Sequence, residues 1–308
     1  MADLHDLLEK TSRTFALSIP YLPQPTRREV TVAYLLFRIA DTFEDSASWS
    51  HRQRIRALDL FCDLLAKPRR RRVRRLASRW TAGVPIDHGG YQELMAETPF
   101  VLDAFFELRP AARELIREHT VRTAQGMAGF VARTDGGGDL RLADLDDLRE
   151  YCYVVAGIVG EMLTELFLLE RPGLAAVAAD LRARSRHFGE ALQLVNILKD
   201  SAFDTTEGRS YLPPGVGRDQ IFALARSDLA ASAEYIGALQ DAGAERGLVA
   251  FNAINVLLAF ATIDKVEAEG PGAKISRPEV FALVERMEDD LDHDRPVMAR
   301  AAVPAARG

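Results

Sequence analysis

An all-α fold is predicted by three features of this 308-residue sequence. Apolar residues recur at offsets of three and four in nearly every segment, the period of a helix with one buried face. No segment alternates apolar and polar residues as a half-buried strand does. Glycine and proline gather at Pro23–Pro25, Gly83–Pro85, Asp135–Gly138, Pro213–Gly217 and Gly270–Gly272, which read as turns between helices. There is no internal repeat and no long Ser/Gly linker. Residues 1–294 are therefore expected to form one helical domain with short loops, and the Ala/Arg/Pro-rich stretch 295–308 a frayed, disordered tail.

The opening M-A-D-L-H-D-L-L-E-K is acidic and amphipathic, unlike a signal peptide. Ser12 and Thr14 stand ahead of Phe15, Leu17 and Ile19, where a hydroxyl serves equally as a helix cap or as a phosphate contact. Val30–Phe37 reads as a buried helix and leads into Arg38, Asp41 and Asp45, which share one face. The run Arg69–Arg75 is the one dense basic stretch. It reads as a solvated helix start, or as a surface drawn to anionic lipid head groups and hence a peripheral membrane contact. Gly126 and Gly129 suggest tight helix packing.

Tyr151–Gly160 is almost wholly apolar, and Gly157 and Gly160 each lower helix propensity by about 1 kcal/mol against alanine. Such positions imply that space is needed there, for a second helix or for a ligand. Leu248–Ile263, with Asn252 and Asn255 inside it, would reach about 24 Å as a helix and is expected to be a core element. No segment is expected to span a membrane, and the helices from Arg218 onward are expected to be structural.

The chemistry concentrates in two stretches. Q-L-V-N-I-L-K-D-S-A-F-D places Gln193, Asn196, Asp200 and Asp204 on one stripe of a helix beside the apolar stripe Leu194, Ile197 and Leu198. Carboxylates four residues apart point the same way, with Cβ atoms about 6 Å apart. Half-buried, at an effective dielectric of about 20, such a pair repels by about 3 kcal/mol. A hard divalent cation such as Mg²⁺, shared with a substrate phosphate, would relieve that repulsion. Asp41 and Asp45 make a second pair, and two pairs on apolar helices can converge on one metal cluster.

Composition excludes other classes. The net charge of −6 argues against general nucleic-acid binding. Two cysteines, Cys62 and Cys152, have no metal-ligand spacing and suggest a reducing, cytoplasmic setting, with the inner membrane face as the site of any peripheral contact.

The motifs together resemble the squalene/phytoene synthase family of head-to-head prenyl diphosphate synthases, over about Thr11 to Arg277. They are S-R-T-F at Ser12, Y-x-x-x-R-x-x-D-T-x-E-D from Tyr34, Y-C-Y-V-V-A-G-I-V-G from Tyr151, Q-x-x-N-I-x-K-D-x-x-x-D from Gln193 and G-R-S-Y-L-P from Gly208. The resemblance implies an isoprenoid-synthase helical bundle with a central cavity, and two or three Mg²⁺ ions held by Asp41, Asp45, Asn196, Asp200 and Asp204. It implies diphosphate contacts from Ser12, Thr14, Arg38, Gln193, Asn196, Lys199 and Arg209, and reaction roles for Tyr34, Tyr151 and Arg38. G-M-A-G-F and the Tyr151 motif look closer to squalene synthases. G-A-K-I-S-R at Gly272 resembles the region where reducing members hold NADPH, a further candidate cofactor.

The sequence departs from the family at Phe203, where an acidic residue is common, at Lys199, where arginine is usual, and at Asn255, where many members have proline. Condensation of two farnesyl diphosphates through presqualene diphosphate to squalene or dehydrosqualene is the leading expectation. The alternatives are cyclisation of a single prenyl diphosphate, a phytoene synthase using geranylgeranyl diphosphate, and an assembly partner without turnover.

Overall fold

A computed structural model describes residues 3–299 except 47–48, 68–69, 84–87, 134–139, 170 and 207–210, with side chains 70, 83 and 202–206 also outside the description. Among the described residues the fold is all-α, with no strand. Contacts gather the chain into two compact units, Met1–Ile19 with Gln24–Leu140, and Pro20–Pro23 with Arg141–Gly308.

The first unit holds α1 (Leu4–Thr11), α2 (Arg13–Ser18), α3 (Thr26–Glu44), α4 (His51–Ala66), α5 (Arg70–Gly83), α6 (Gly89–Ala96), α7 (Thr98–Phe106) and α8 (Pro110–Ala132). Helix α3 is its axis and packs against α1, α4, α6, α7 and α8. Its Val32, Leu35, Leu36 and Ile39 are fully buried, so most of its circumference faces other helices. One charged pair is buried with them. Arg109, just before α8, grips Glu29 on α3 with both prongs, Nε to Oε1 at 2.7 Å and an Nη2 donor to Oε2 at 2.9 Å. Glu29 is 1% exposed, so its charge depends on this fork.

The second unit holds α9 (Leu145–Cys152), a π-helical turn (Tyr153–Gly157), α10 (Ile158–Leu168), α11 (Ala178–Thr206), α12 (Arg218–Asp241), α13 (Arg246–Glu269) and α14 (Arg277–Asp292). Helix α11 packs against α9, the π turn, α10, α12 and α13. Glycine makes this possible. A Cβ on Gly160 would lie 2.1 Å from the Ser185 carbonyl oxygen, and one on Gly189 would lie 1.9 Å from that of Ala156. The space implied at Gly157 and Gly160 is thus filled by a helix. At Gly129, by contrast, a Cβ would meet nothing within 4 Å, so tight packing is not its reason.

Helix α13 is a core element, as expected. Asn252 and Asn255 are 1% exposed and return their amides to the carbonyls of Leu248 and Phe251, 2.8 and 2.7 Å away. The expectation that nothing qualifies as a membrane span is corrected. Leu145–Leu168 and Arg246–Glu269 are both long and apolar enough, although 61% and 67% of their apolar windows lie buried inside the protein. The stretch expected to fray begins anchored. Arg295 pairs with Asp289 and Asp290, Val297 and Met298 are buried, and residues 300–308 lie outside the described residues.

Removing Arg109 would leave the Glu29 charge buried without its fork. Arg109→Ala is expected to cost about 3 kcal/mol, at the low end for a buried pair because the arginine is partly exposed. That corresponds to a melting-temperature loss of about 6–10 °C. Thermal unfolding by circular dichroism measures it; a loss under 2 °C contradicts the role.

Candidate active site

On α3, Tyr34, Arg38, Asp41 and Asp45 fall at offsets of four, three and four, so the helix itself aligns them. The Tyr34 hydroxyl donates to the Thr11 carbonyl at 2.8 Å and accepts from Arg38 Nε at 3.3 Å. Arg38 then reaches Asp41, with Nη1 3.3 Å from Oδ2. Its guanidinium lies over two rings, 5.6 Å from the Tyr34 centroid and 5.4 Å from that of Tyr91. The two faces clamp the arginine by cation–π attraction. Asp45 caps α3 at its C-terminus and is exposed.

Tyr91 was not foreseen. It reaches Arg38 because α6 begins hard against α1, where a Cβ on Gly90 would lie 2.3 Å from the Lys10 carbonyl oxygen. The dipeptide Gly89–Gly90 before the tyrosine was the available signal. Ser12 caps α2, its Oγ accepting from the Phe15 N–H at 2.9 Å and its hydroxyl hydrogen left to donate elsewhere. Thr14 is exposed on α2, and Phe15 meets the Tyr34 ring at 5.3 Å, which joins this turn to the cluster.

Charge is unevenly settled here. Burial pushes the Asp41 carboxyl up to about 6, the Arg38 charge lowers it and the Asp45 charge raises it further. Burial also works against the Arg38 charge, yet Tyr34, Asp41 and Tyr91 hold its pKa above the ordinary arginine value. Burial raises the Tyr91 hydroxyl as well. Burial and the Asp45 charge outweigh the Arg38 charge at Asp41, and hard carboxylate oxygens on one helix face suit a hard divalent cation. A divalent ion fits the residues present.

In the second unit, α11 presents Gln193 half-buried and Asn196 exposed. Lys199 Nζ lies 3.2 Å from both Asn196 Oδ1 and Asp200 Oδ2. Asp200 keeps 43% of its side chain exposed. Asp204 lies on the same helix, but its side chain, that of Phe203, and the whole of Arg209 are outside the described residues. The Gly272 N–H donates to the Lys199 carbonyl at 2.7 Å, so the G-A-K-I-S-R loop is tied to this helix. Tyr151 is buried, stacked on Tyr211 at 5.0 Å with the two hydroxyls 3.3 Å apart.

A second ionic cluster was missed. His187, Glu190 and Asp228 bring ligand atoms within 4.8 Å of one another. His187 Nδ1 lies 2.8 Å from Asp228 Oδ1, while Arg186 and Arg149 donate to Glu190 at 2.7 and 3.2 Å. Burial raises the Glu190 carboxyl against the pull of those two arginines. With two guanidiniums already facing two carboxylates, the cluster is close to neutral. It reads as a buried clamp holding α9, α11 and α12 together. Only the Arg186–Glu190 spacing was legible in the sequence; Asp228 joins from α12 as a structural partner.

The squalene/phytoene synthase family model matches residues 8–218, a span that contains every motif residue from Ser12 to Arg209. The chain belongs to the squalene/phytoene synthase family. It is 30% identical over 210 residues to the Botryococcus squalene synthase of Botryococcus braunii, covering 67% of this chain and 40% of that protein. It is 30% identical over 213 residues to squalene synthase ERG9 of Candida albicans, covering 68% and 44%. The chain therefore matches well under half the length of these relatives. A solved structure of TcSQS with the ligand E5700 superposes with a TM-score of 0.78 at 24% identity, covering 99% of this chain and 92% of the other, and so shares its fold.

A carboxyl raised to about 6 loses stability as pH climbs from about 4 through 6, because the charge must then be buried. Without divalent metal at pH 7, Asp41→Asn is expected to be more stable than the parent by about 2 kcal/mol, after discount for partial exposure. The gap should close below pH 4. Urea unfolding at both pH values measures it; a variant less stable at pH 7 contradicts the reading.

Proposed function

We propose that this protein is a Mg²⁺-dependent transferase that joins two prenyl diphosphates head to head. The substrate is taken to be farnesyl diphosphate, converted through presqualene diphosphate to squalene or dehydrosqualene. The observation that carries the reading is the α3 cluster, where Tyr34, Tyr91 and Asp41 fix Arg38 beside a buried carboxyl that its charge does not hold at the ordinary value. The family supports it, and relatives named squalene synthases match across the motif region.

Asp41, Asp45, Asn196, Asp200 and Asp204 would hold the ions, as the family resemblance implies. Bound Mg²⁺ would neutralise diphosphate oxygens so that the leaving group departs as an anion. Arg38, Ser12, Thr14, Gln193, Lys199 and Arg209 would orient the diphosphates. Arg38, clamped between two rings, meets that charge with little reorganisation. As the allylic C–O bond breaks, diphosphate keeps the bonding electrons and leaves an allylic cation. The alkene of the second substrate attacks this cation, and loss of one proton closes the cyclopropane. Tyr34 and Tyr151 would be the phenols that stabilise charge or carry a proton. Ionisation of the second diphosphate gives a rearranged C30 cation. Hydride from NADPH would convert it to squalene, and loss of a proton would convert it to dehydrosqualene.

With farnesyl diphosphate and Mg²⁺, mass spectrometry is expected to find a C30 hydrocarbon, reduced only when NADPH is supplied and used. Asp41→Asn and Asp200→Asn should each lower turnover by about two to three orders of magnitude. The absence of any C30 product with or without NADPH contradicts the proposal. A product formed from one substrate molecule would point instead to a cyclase.

A further inference from the structure

We propose that α5 and the groove beside it dock the first unit onto an anionic phospholipid bilayer, with one acyl chain seated between Trp49 and Trp80. This inference does not rest on the reaction proposed above.

Helix α5 carries six arginines and no acidic residue, in a chain whose net charge is −6. Arg71, Arg74, Arg75 and Arg79 recur at helical spacing and are exposed, while Val73, Leu76, Ala77 and Trp80 on the other side are buried. Arg72 turns back, to Asp63 at 3.0 Å. The helix thus lays an apolar stripe on its own unit and shows an arginine stripe to solvent. From Arg71 to Arg79 that stripe runs about 12 Å, longer than one phosphate group and matched to a charged plane.

Beside it lies a groove of about 310 Å³. Trp49, Leu60, Leu76 and Trp80 supply its apolar walls, and Arg56 and Arg79 its cationic groups. Arg79 belongs to both the groove and the arginine stripe, so the two features meet at one residue. Beneath, Phe43 of α3 stacks on Trp49 at 6.1 Å and meets Trp80 edge-on at 4.7 Å, which fixes both indoles. A cationic stripe running into an apolar groove complements an anionic head-group layer with chains below it. A free phosphate would use only the first feature, and a neutral lipid only the second.

The chain's two tryptophans both line this groove, so intrinsic fluorescence reports on it alone. The full-length protein is mixed with phosphatidylglycerol vesicles, with phosphatidylcholine vesicles, and with phosphatidylglycerol vesicles carrying acyl-brominated lipid. Expected are co-sedimentation with phosphatidylglycerol only, its loss at 1 M salt by screening, and quenching of tryptophan emission by the brominated chains. The triple variant Arg71→Gln/Arg74→Gln/Arg75→Gln, on an exposed helix face, should keep its helical circular dichroism and bind about a hundredfold more weakly. Equal binding to phosphatidylcholine, binding without quenching, or unchanged binding of the triple variant each overturn the proposal. So does an emission shift with free prenyl diphosphate when vesicles give none.

Discussion

Two carboxylates one helical turn apart, with Arg38 beside the inner one and water largely withdrawn from it, cannot both stay ionised without cost. That constraint at the end of α3 shapes the first unit. Asp41 rises to about 6 because burial and Asp45 outweigh the Arg38 charge. Arg38 is in turn held by Tyr34 below it on the helix and by Tyr91 from α6. The helix is otherwise almost wholly buried, and the Glu29–Arg109 fork pins its far end to α8. A rigid helix that ends in a buried carboxyl raised above its ordinary value is a surface suited to a cation and to the anion that accompanies it.

The second unit solves a different problem, placing another acidic stripe on a helix that must itself be buried. Helix α11 is surrounded by five neighbouring elements, and it approaches α10 and the π turn so closely that Gly160 and Gly189 have no room for a methyl group. The His187–Glu190–Asp228–Arg149 clamp lies one turn before Gln193, where it steadies the helix ahead of the motif. Asn196 and Asp200 emerge from this packing into solvent, with Lys199 between them. Tyr151 lies near the end of α9, just before the π turn, a local widening of the helix of the kind found often at functional sites.

Helical period alone revealed the all-α class, the buried run Val30–Phe37 and the core role of α13, because each depends on local spacing. Spacing also put Arg38 next to Asp41. What it could not reveal depends on which surfaces meet. Tyr91 becomes part of the Arg38 clamp only through the approach of α6 to α1 at Gly90. Asp228 and Arg149 join Glu190 from helices far apart in sequence. The glycines show the same limit. Gly160 and Gly129 look alike as letters, yet one lies against a carbonyl oxygen and the other against open space. Length and hydropathy likewise did not separate a core helix from a membrane span at Leu145–Leu168 and Arg246–Glu269; burial inside the unit bears on it, composition does not.

The central claim is that the two aspartate stripes, and not the buried histidine–carboxylate clamp, gather divalent ions around diphosphate. Crystals grown with Mn²⁺ and inorganic diphosphate test it directly through anomalous scattering from the metal. The account predicts metal peaks within about 2.5 Å of carboxylate oxygens of both the Asp41–Asp45 and the Asp200–Asp204 pairs, bridged by diphosphate. Peaks confined to His187, Glu190 and Asp228, or no metal at either aspartate pair with diphosphate bound, would contradict it.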